Sequence, residues 1–336
     1  MTTLTMAKAI NAGLRTALAN DPHVVLMGED IGTLGGVFRV TDGLQTEFGP
    51  RRVMDSPLAE SGILGTAVGM AFRGYRPVVE IQFDGFVYPA FDQIVSQVAR
   101  MHYRTDGAVR MPITIRVPFA GGIGAAEHHS DSPEAYFAHA AGLRVVSPSD
   151  PQDAYTLIQQ AIASDDPVLY FEPKRRYHAK GEVDVDSALA DARPMGTARV
   201  VATGGDVTLV TYGGLVQLAR DAAVAAGDEG VSVEVIDLRS LSPLDLDTVV
   251  ASVRKTGRLV VTHEAALSGG LGAEISASIT ERCFYQLEHA PVRVTGHDIP
   301  YPAARLEGAH LPDLDRILDG IDRAMDRPNS LSGVED

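Results

Sequence analysis

The sequence predicts an α/β protein built as two parallel-sheet-based domains, and three observations carry that prediction. Short apolar runs alternate with stretches of helical periodicity, the βαβ pattern of a mostly parallel sheet. The chain is 336 residues long, more than one ordinary domain holds. Its composition, 45% hydrophobic and 22% charged, excludes disordered, collagen-like and coiled-coil classes.

Taken in order, Leu4, Ala7, Ile10, Leu14 and Leu18 keep helix spacing behind Thr3 as a cap, and Asp21-Pro22 ends that helix. Val24-Val25-Leu26-Met27 reads as a buried strand running into Gly28-Glu29-Asp30. A short strand over 52–54 leads through Pro57-Leu58-Ala59-Glu60 into a helix of small residues over 61–72. Strands follow at 78–82 and 113–117, the latter rich in β-branched residues, with a helix over 91–104 between them. After the glycine-rich loop Gly121-Gly122-Ile123-Gly124 come a strand at 144–146 and Ser149-Asp150-Pro151, a cap with proline at the first helical position. Strand 168–171 closes this half.

Residues 174–205 turn from basic to acidic and loop-like, through Glu182-Val183-Asp184-Val185-Asp186, then Gly196, Gly204 and Gly205. The expected domains are therefore 1–180 and 206–327, with a linker over 181–205 and a polar tail over 328–336. In the second half, strands are expected at 207–211, 231–236 and 258–262, and helices at 273–288 and 311–325. The last of these carries Leu314, Ile317, Leu318 and Ile321 on one face.

The formal net charge is −15, from 44 acidic and 29 basic residues, and such a field repels nucleic acid and anionic membrane surfaces. The single cysteine, Cys283, forms neither an internal disulfide nor a thiolate metal site within the chain. No apolar run reaches the roughly 20 residues that span a bilayer. The opening Met1-Thr2-Thr3-Leu4-Thr5-Met6-Ala7-Lys8 has neither the apolar core of a signal peptide nor the arginines of a transit peptide, so a cytoplasmic protein is expected. Gly62, Gly65 and Gly69 are too widely spaced for a dinucleotide loop, and there is no phosphate-binding lysine loop.

Three constellations could carry chemistry. Glu60 follows a strand among apolar neighbours; burial there would push a carboxyl with an ordinary pKa of about 4.3 upward and let it share a proton with a ligand nitrogen. The competing reading, a helix-start glutamate stabilised by the dipole, has the edge on spacing alone. In His128-His129, adjacent side chains of an extended chain cannot both face one site. At most one is then a proton carrier, and both could be surface loop residues. Gln82-Phe83-Asp84-Gly85-Phe86-Val87-Tyr88-Pro89 follows a strand end, where parallel sheets bind ligands, and its rings either pack on a flat heterocycle or fill core.

Several ordered strings resemble the beta subunits of 2-oxo acid dehydrogenase decarboxylases. They are Gly28-Glu29-Asp30, Pro57-Leu58-Ala59-Glu60-Ser61-Gly62-Ile63, Glu80-Ile81-Gln82-Phe83, Pro89-Ala90-Phe91-Asp92-Gln93-Ile94, His129-Ser130-Asp131-Ser132-Pro133-Glu134, Val146-Ser147-Pro148, Asp237-Leu238-Arg239 and His263-Glu264-Ala265. The likeness runs from about residue 4 to residue 325, and it decides the open readings of Glu60 and His129 in favour of function.

The resemblance implies a thiamine diphosphate enzyme, with a pyrimidine-binding domain followed by a transketolase C-terminal-like domain. It implies two alpha and two beta chains, the alpha chain holding the diphosphate and magnesium through a Gly-Asp-Gly motif that this sequence lacks. Glu60 would hydrogen-bond the pyrimidine ring nitrogen, and His129 would exchange protons near the substrate and the lipoyl group. Glu29, Leu58, Ala59, Gln82, Phe86, Val87, Tyr88 and Pro89 would line the cofactor, with Phe86 packed on the pyrimidine. Phe83, Asp84, Gly85 and Phe86 would meet the substrate. A structural potassium ion would sit near Ile113, Thr114, Ala161, Ser164 and Asp166, where Ser164 replaces a frequent Asp and Asp166 a common Asn.

The acyl group would pass to a lipoyl acyltransferase. Gly35-Gly36-Val37-Phe38-Arg39, Phe91-Asp92-Gln93 and Phe171-Glu172-Pro173-Lys174 look more like branched-chain enzymes than pyruvate ones. A branched-chain 2-oxo acid is therefore the expected substrate. Pyruvate or acetoin is the alternative, and a non-catalytic assembly module the remote one.

Overall fold

The computed structural model describes residues 1–327, so the expected tail over 328–336 lies outside the described residues. The chain divides into two compact units. The first comprises Met1–Ile123, His128–Met195 and Leu241–Pro243; the second comprises Gly124–Glu127, Gly196–Ser240 and the chain from Leu244 onward.

The first unit is built on a seven-stranded sheet. Its spatial order is Ser240–Ser242, Arg144–Val146, Val168–Pro173, Thr114–Phe119, Arg76–Glu80, Val24–Gly28 and Val53–Asp55. The ladders from Arg144–Val146 to Val53–Asp55 are all parallel. Strands buried on both faces read as continuous apolar runs, which is why Val24–Gly28 was legible as a strand.

The helix Met6–Asn20 packs on the helix Pro151–Ala163. Gly13 makes their close approach feasible, since a Cβ there would lie 2.4 Å from Ile158 Cγ2. Leu14 from the first helix and Leu157 and Ile158 from the second are all buried in the core, each worth about 1.5–3 kcal/mol when removed from water.

Several boundaries differ from expectation. Thr5, not Thr3, caps the first helix, its hydroxyl accepting from the Lys8 amide at 3.3 Å. Thr2–Thr5 instead forms an antiparallel ladder with Lys180–Val183. The stretch 181–205, expected to be a linker, therefore contains paired backbone. It also holds Arg199–Ala202, the antiparallel edge of the second unit's sheet. The helix expected over 91–104 is a π-helical segment Gln93–Val98 followed by the short helix Met101–Arg104. Asp150 does cap Pro151–Ala163, accepting from the Asp153 amide at 2.9 Å.

The second unit is a five-stranded sheet in the order Val292–Gly296, Leu259–Ala266, Val207–Thr211, Val233–Asp237 and Arg199–Ala202, with only the last antiparallel. Ile317 and Ile321 of the helix Leu314–Ala324 are buried in its core with Leu209, Val260 and Val294. Among the described residues no helix is long and apolar enough to cross a membrane.

Candidate active site

In the first unit the C-terminal ends of neighbouring parallel strands open on one edge, where ligands bind in sheets of this kind. Glu29 follows Val24–Gly28, Glu60 follows Val53–Asp55, Gln82 and Phe83 follow Arg76–Glu80, and His129 lies beyond Thr114–Phe119. The sheet order places these four strands side by side.

Both carboxylates are buried, Glu29 at 7% and Glu60 at 9% exposure. Glu60 begins the helix Glu60–Phe72, so its backbone is fixed at the positive end of the helix. Burial pushes the Glu29 carboxyl above the usual range, and the charges of Glu60, Asp30 and Glu80 push it further. One oxygen of Glu29, Oε1, is buried without a hydrogen-bond partner. A buried acceptor left this way costs free energy until it meets a donor. Two such carboxylates side by side fit a flat nitrogen heterocycle that brings N–H groups to them, and an aminopyrimidine is one. Leu58 and Ala59, on the approach to Glu60, are exposed, Leu58 at 76%.

His129 stands on an aromatic wall. Its ring stacks on Phe83 with centroids 3.9 Å apart and planes 7° apart, and meets Phe86 edge-on at 5.3 Å. Phe38 extends the wall behind Phe83 at 5.5 Å. His129 Nδ1 lies 2.9 Å from the His128 carbonyl. A carbonyl can only accept, so Nδ1 carries a hydrogen, and in the neutral ring the lone pair is then on Nε2. His128 is exposed and His129 half-buried, as expected of neighbours in a chain that cannot aim both rings one way.

Asp84 and Val87, expected among the contacts, are sealed from solvent. Their side chains lie behind the turn Asp84–Val87 rather than on its open side. Asp84 Oδ1 accepts from Lys174 Nζ at 2.9 Å, and both side chains are fully buried. Burial lifts the Asp84 carboxyl to about 7 although Lys174 pulls the other way. Gly85 lies against the His128 backbone. Tyr88 and Pro89 are exposed, and the Tyr88 hydroxyl donates to Asp131 Oδ2 at 3.1 Å.

A second buried network braces the strand ends. Arg116 donates to Glu80 Oε2 at 2.6 Å and to both oxygens of Glu172 at 2.6 and 3.0 Å, and the Tyr177 hydroxyl adds a bond to Glu172 at 2.6 Å. Sequence reasoning singled out neither this network nor Lys174. The available signal was a charged residue set directly against apolar neighbours in each of three strands: Glu80 after Val78-Val79, Arg116 between Ile115 and Val117, and Glu172 after Phe171.

At the expected potassium position, the Ile113, Ala161 and Ser164 carbonyls accept from Val168 N, Ser164 N and Arg76 Nη1, and Asp166 accepts from Arg144. The Thr114 hydroxyl is buried without a partner.

Two family profiles match successive stretches of the chain. The profile described as "Transketolase, pyrimidine binding domain" matches residues 2–180, and that described as "Transketolase, C-terminal domain" matches residues 196–317. The chain is 58% identical to "Pyruvate dehydrogenase E1 component subunit beta" of Leifsonia xyli subsp. xyli, over 96% of this chain and 95% of that one. It is 56% identical to "3-methyl-2-oxobutanoate dehydrogenase subunit beta" of Mycobacterium tuberculosis, over 97% and 93%. The chain belongs to the family of 2-oxo acid dehydrogenase E1 beta subunits.

This E1 beta chain is also 45% identical to "2-oxoisovalerate dehydrogenase subunit beta" of Pseudomonas aeruginosa, over 97% of this chain and 96% of that one. Among solved structures it resembles "Split gene transketolase, inactive beta4 tetramer" at a TM-score of 0.78 and 23% identity, covering 96% of this chain and 98% of that one; this likeness speaks to the fold alone. Membership of the family implies thiamine diphosphate as cofactor and a separate alpha chain within a larger complex.

Proposed function

We propose that this chain is the beta subunit of the decarboxylase acting on branched-chain 2-oxo acids such as 3-methyl-2-oxobutanoate. In this reading it works in the cytoplasm as a heterotetramer of two alpha and two beta chains and passes the acyl group to a lipoyl acyltransferase. The observation that carries the substrate choice is the apolar wall of Phe38, Phe83 and Phe86 around His129, a surface that favours a branched aliphatic chain over a methyl group. Pyruvate is the second reading, and the 58% identity to the Leifsonia xyli pyruvate dehydrogenase subunit favours it.

Thiamine diphosphate, when bound, supplies a carbon nucleophile and an electron sink for loss of carbon dioxide. With that cofactor bound, Glu60 would hold the proton shared with its ring nitrogen, and Glu29 would offer its unpartnered oxygen to a neighbouring N–H. Leu58, Ala59, Gln82, Phe86, Tyr88 and Pro89 shape and dry the seat of the pyrimidine. His129, with its lone pair on Nε2, takes or returns a proton at the substrate oxygen and later at the lipoyl sulfur. The alpha chain grips the diphosphate and magnesium. Exposed Leu58, Phe72, Tyr75, Tyr103 and Tyr136 are apolar surface suited to a partner subunit.

A potassium ion is part of the same reading. The unpartnered Thr114 hydroxyl and the second lone pairs of the Ile113, Ala161 and Ser164 carbonyls would hold it, together with Asp166. A higher melting temperature in KCl than in NaCl of equal strength is expected, and identical curves would remove the ion.

The deciding experiment assembles the chain with its alpha partner and compares kcat/KM for 3-methyl-2-oxobutanoate and pyruvate. A preference of about 10-fold or more for the branched acid is expected, the scale that added methylenes contribute in an apolar pocket. A preference for pyruvate would transfer the assignment to the second reading.

A further inference from the structure

We infer that the buried Lys174–Asp84 pair is a positioning device that sets where His129 stands. The inference rests on the function proposed above, and the geometry that carries it lies wholly within the first unit.

Lys174 follows the strand Val168–Pro173, and Asp84 opens the turn that follows Arg76–Glu80. Between those strands the sheet places Thr114–Phe119, so the Nζ–Oδ1 bond of 2.9 Å ties together chain segments two strands apart. Both side chains are wholly inaccessible. Such a pair is a poor device for stability, because removing two charges from water costs about as much as their attraction returns. What it does provide is a fixed distance, since moving either partner breaks a buried charge-assisted bond that water cannot replace.

The turn fixed in this way and the residues flanking it touch the histidine loop through four residues, Phe83, Gly85, Phe86 and Tyr88. A Cβ on Gly85 would lie 2.3 Å from the His128 carbonyl oxygen and 2.9 Å from His128 Cβ, so the two backbones are in direct contact. Phe83, just ahead of the turn, is stacked under the His129 ring at 3.9 Å, and Phe86 inside it meets the same ring at 5.3 Å. Tyr88, just past it, donates to Asp131 at 3.1 Å on the far side of His129. Movement of the turn is therefore movement of the imidazole. Neither Lys174 nor Asp84 is open to the site, so both act through His129 rather than on substrate.

The test uses the assembled alpha–beta enzyme carrying Lys174→Met or, as the near-isosteric change, Asp84→Asn. Two quantities are read: acyl transfer to a free lipoyl domain, and the rate at which diethylpyrocarbonate labels His129, followed by peptide mass. Displacement of the ring should lower kcat for transfer about 10-fold, leave the KM for thiamine diphosphate within about twofold, and speed labelling of His129 about threefold or more. In a His129→Ala background Lys174→Met should change transfer by less than about twofold, because a residue acting through another loses its effect when that other is gone. Unchanged labelling in both variants would overturn the inference. So would a loss of transfer that persists undiminished without His129. If Lys174→Met does not fold, Asp84→Asn decides alone. A wild-type enzyme that transfers no acyl group from any 2-oxo acid would defeat the proposed function, while the labelling rates would still decide the positioning role.

Discussion

Glu29 and Glu60 stand at the C-terminal ends of adjacent parallel strands, and the Glu60 charge adds to burial in raising the Glu29 carboxyl. Glu60→Gln keeps the shape of the site and removes one of the two charges. Decarboxylation by the assembled enzyme should fall by about 10²–10⁴-fold, the range of a lost general acid–base group, with the circular dichroism of the chain unchanged. Full activity in this variant would return the chain to the class of assembly modules.

Glu29 leads to the opposite expectation for stability. Its folded-state carboxyl is held above the ordinary value by burial first and by Glu60, Asp30 and Glu80 after that. A carboxyl raised by folding contributes most below the unfolded pKa and loses that contribution as pH rises through the folded one. At neutral pH the ionised group therefore opposes folding, and Glu29→Gln should unfold at higher urea than the parent at pH 7. The advantage should vanish near pH 4. Activity should fall in the same variant, a trade of function for stability at one residue.

Gly85 allows a sharper steric test. A methyl group there meets the His128 backbone at 2.3 Å, a distance that forces one segment to move. Gly85→Ala should fold, since the residue is only half-buried in a turn beyond the C-terminal end of its strand, yet lose about 10²-fold in acyl transfer because a shift near 1 Å misplaces a reacting group. Normal transfer in a folded Gly85→Ala enzyme would show that the loop position is not critical.

The isolated chain should bind thiamine diphosphate weakly. Its sequence contains no Gly-Asp-Gly motif for the diphosphate, and Leu58, beside the expected pyrimidine seat, is 76% exposed. Calorimetry should register heat only when the alpha chain is added. Tight, magnesium-dependent binding by the beta chain alone would contradict the division of labour.

The legible part of the fold was the part with local causes. Val24-Val25-Leu26-Met27 reads as a strand because both its faces are covered, and Asp150-Pro151 marks a helix start because the cap and the proline lie within the helix they begin. What depended on distant partners was not legible. Leu4 fits the helical periodicity, but its backbone is claimed by Gly181, far along the chain, and the helix starts later as a result. The site divided in the same way. Glu60 and His129 stood out through the family strings, whereas the raised carboxyl of Glu29 depends on strands brought side by side by the sheet. The Lys174–Asp84 bond joins segments that only the strand order brings within reach.

His263, in the second unit, supplies a test independent of the reaction. The ring is 1% exposed on the strand Leu259–Ala266 and fully engaged: Nδ1 donates to the Ala265 carbonyl at 3.1 Å, and Nε2 accepts from the Gly272 amide at 3.1 Å, at the start of the helix Leu271–Cys283. Nε2 must therefore stay unprotonated, and burial lowers the pKa from 6.5 to about 4. A folded pKa below the unfolded one means the unfolded chain takes up the proton first as pH falls. The contribution of His263 is whole above pH 6.5 and drains away between 6.5 and 4, by about 3 kcal/mol in all. Urea unfolding of the parent should weaken across that window relative to His263→Gln, which keeps a donor and an acceptor but cannot titrate. Parallel stability curves for the two proteins between pH 7 and pH 4 would show that the imidazole is not held neutral by the fold.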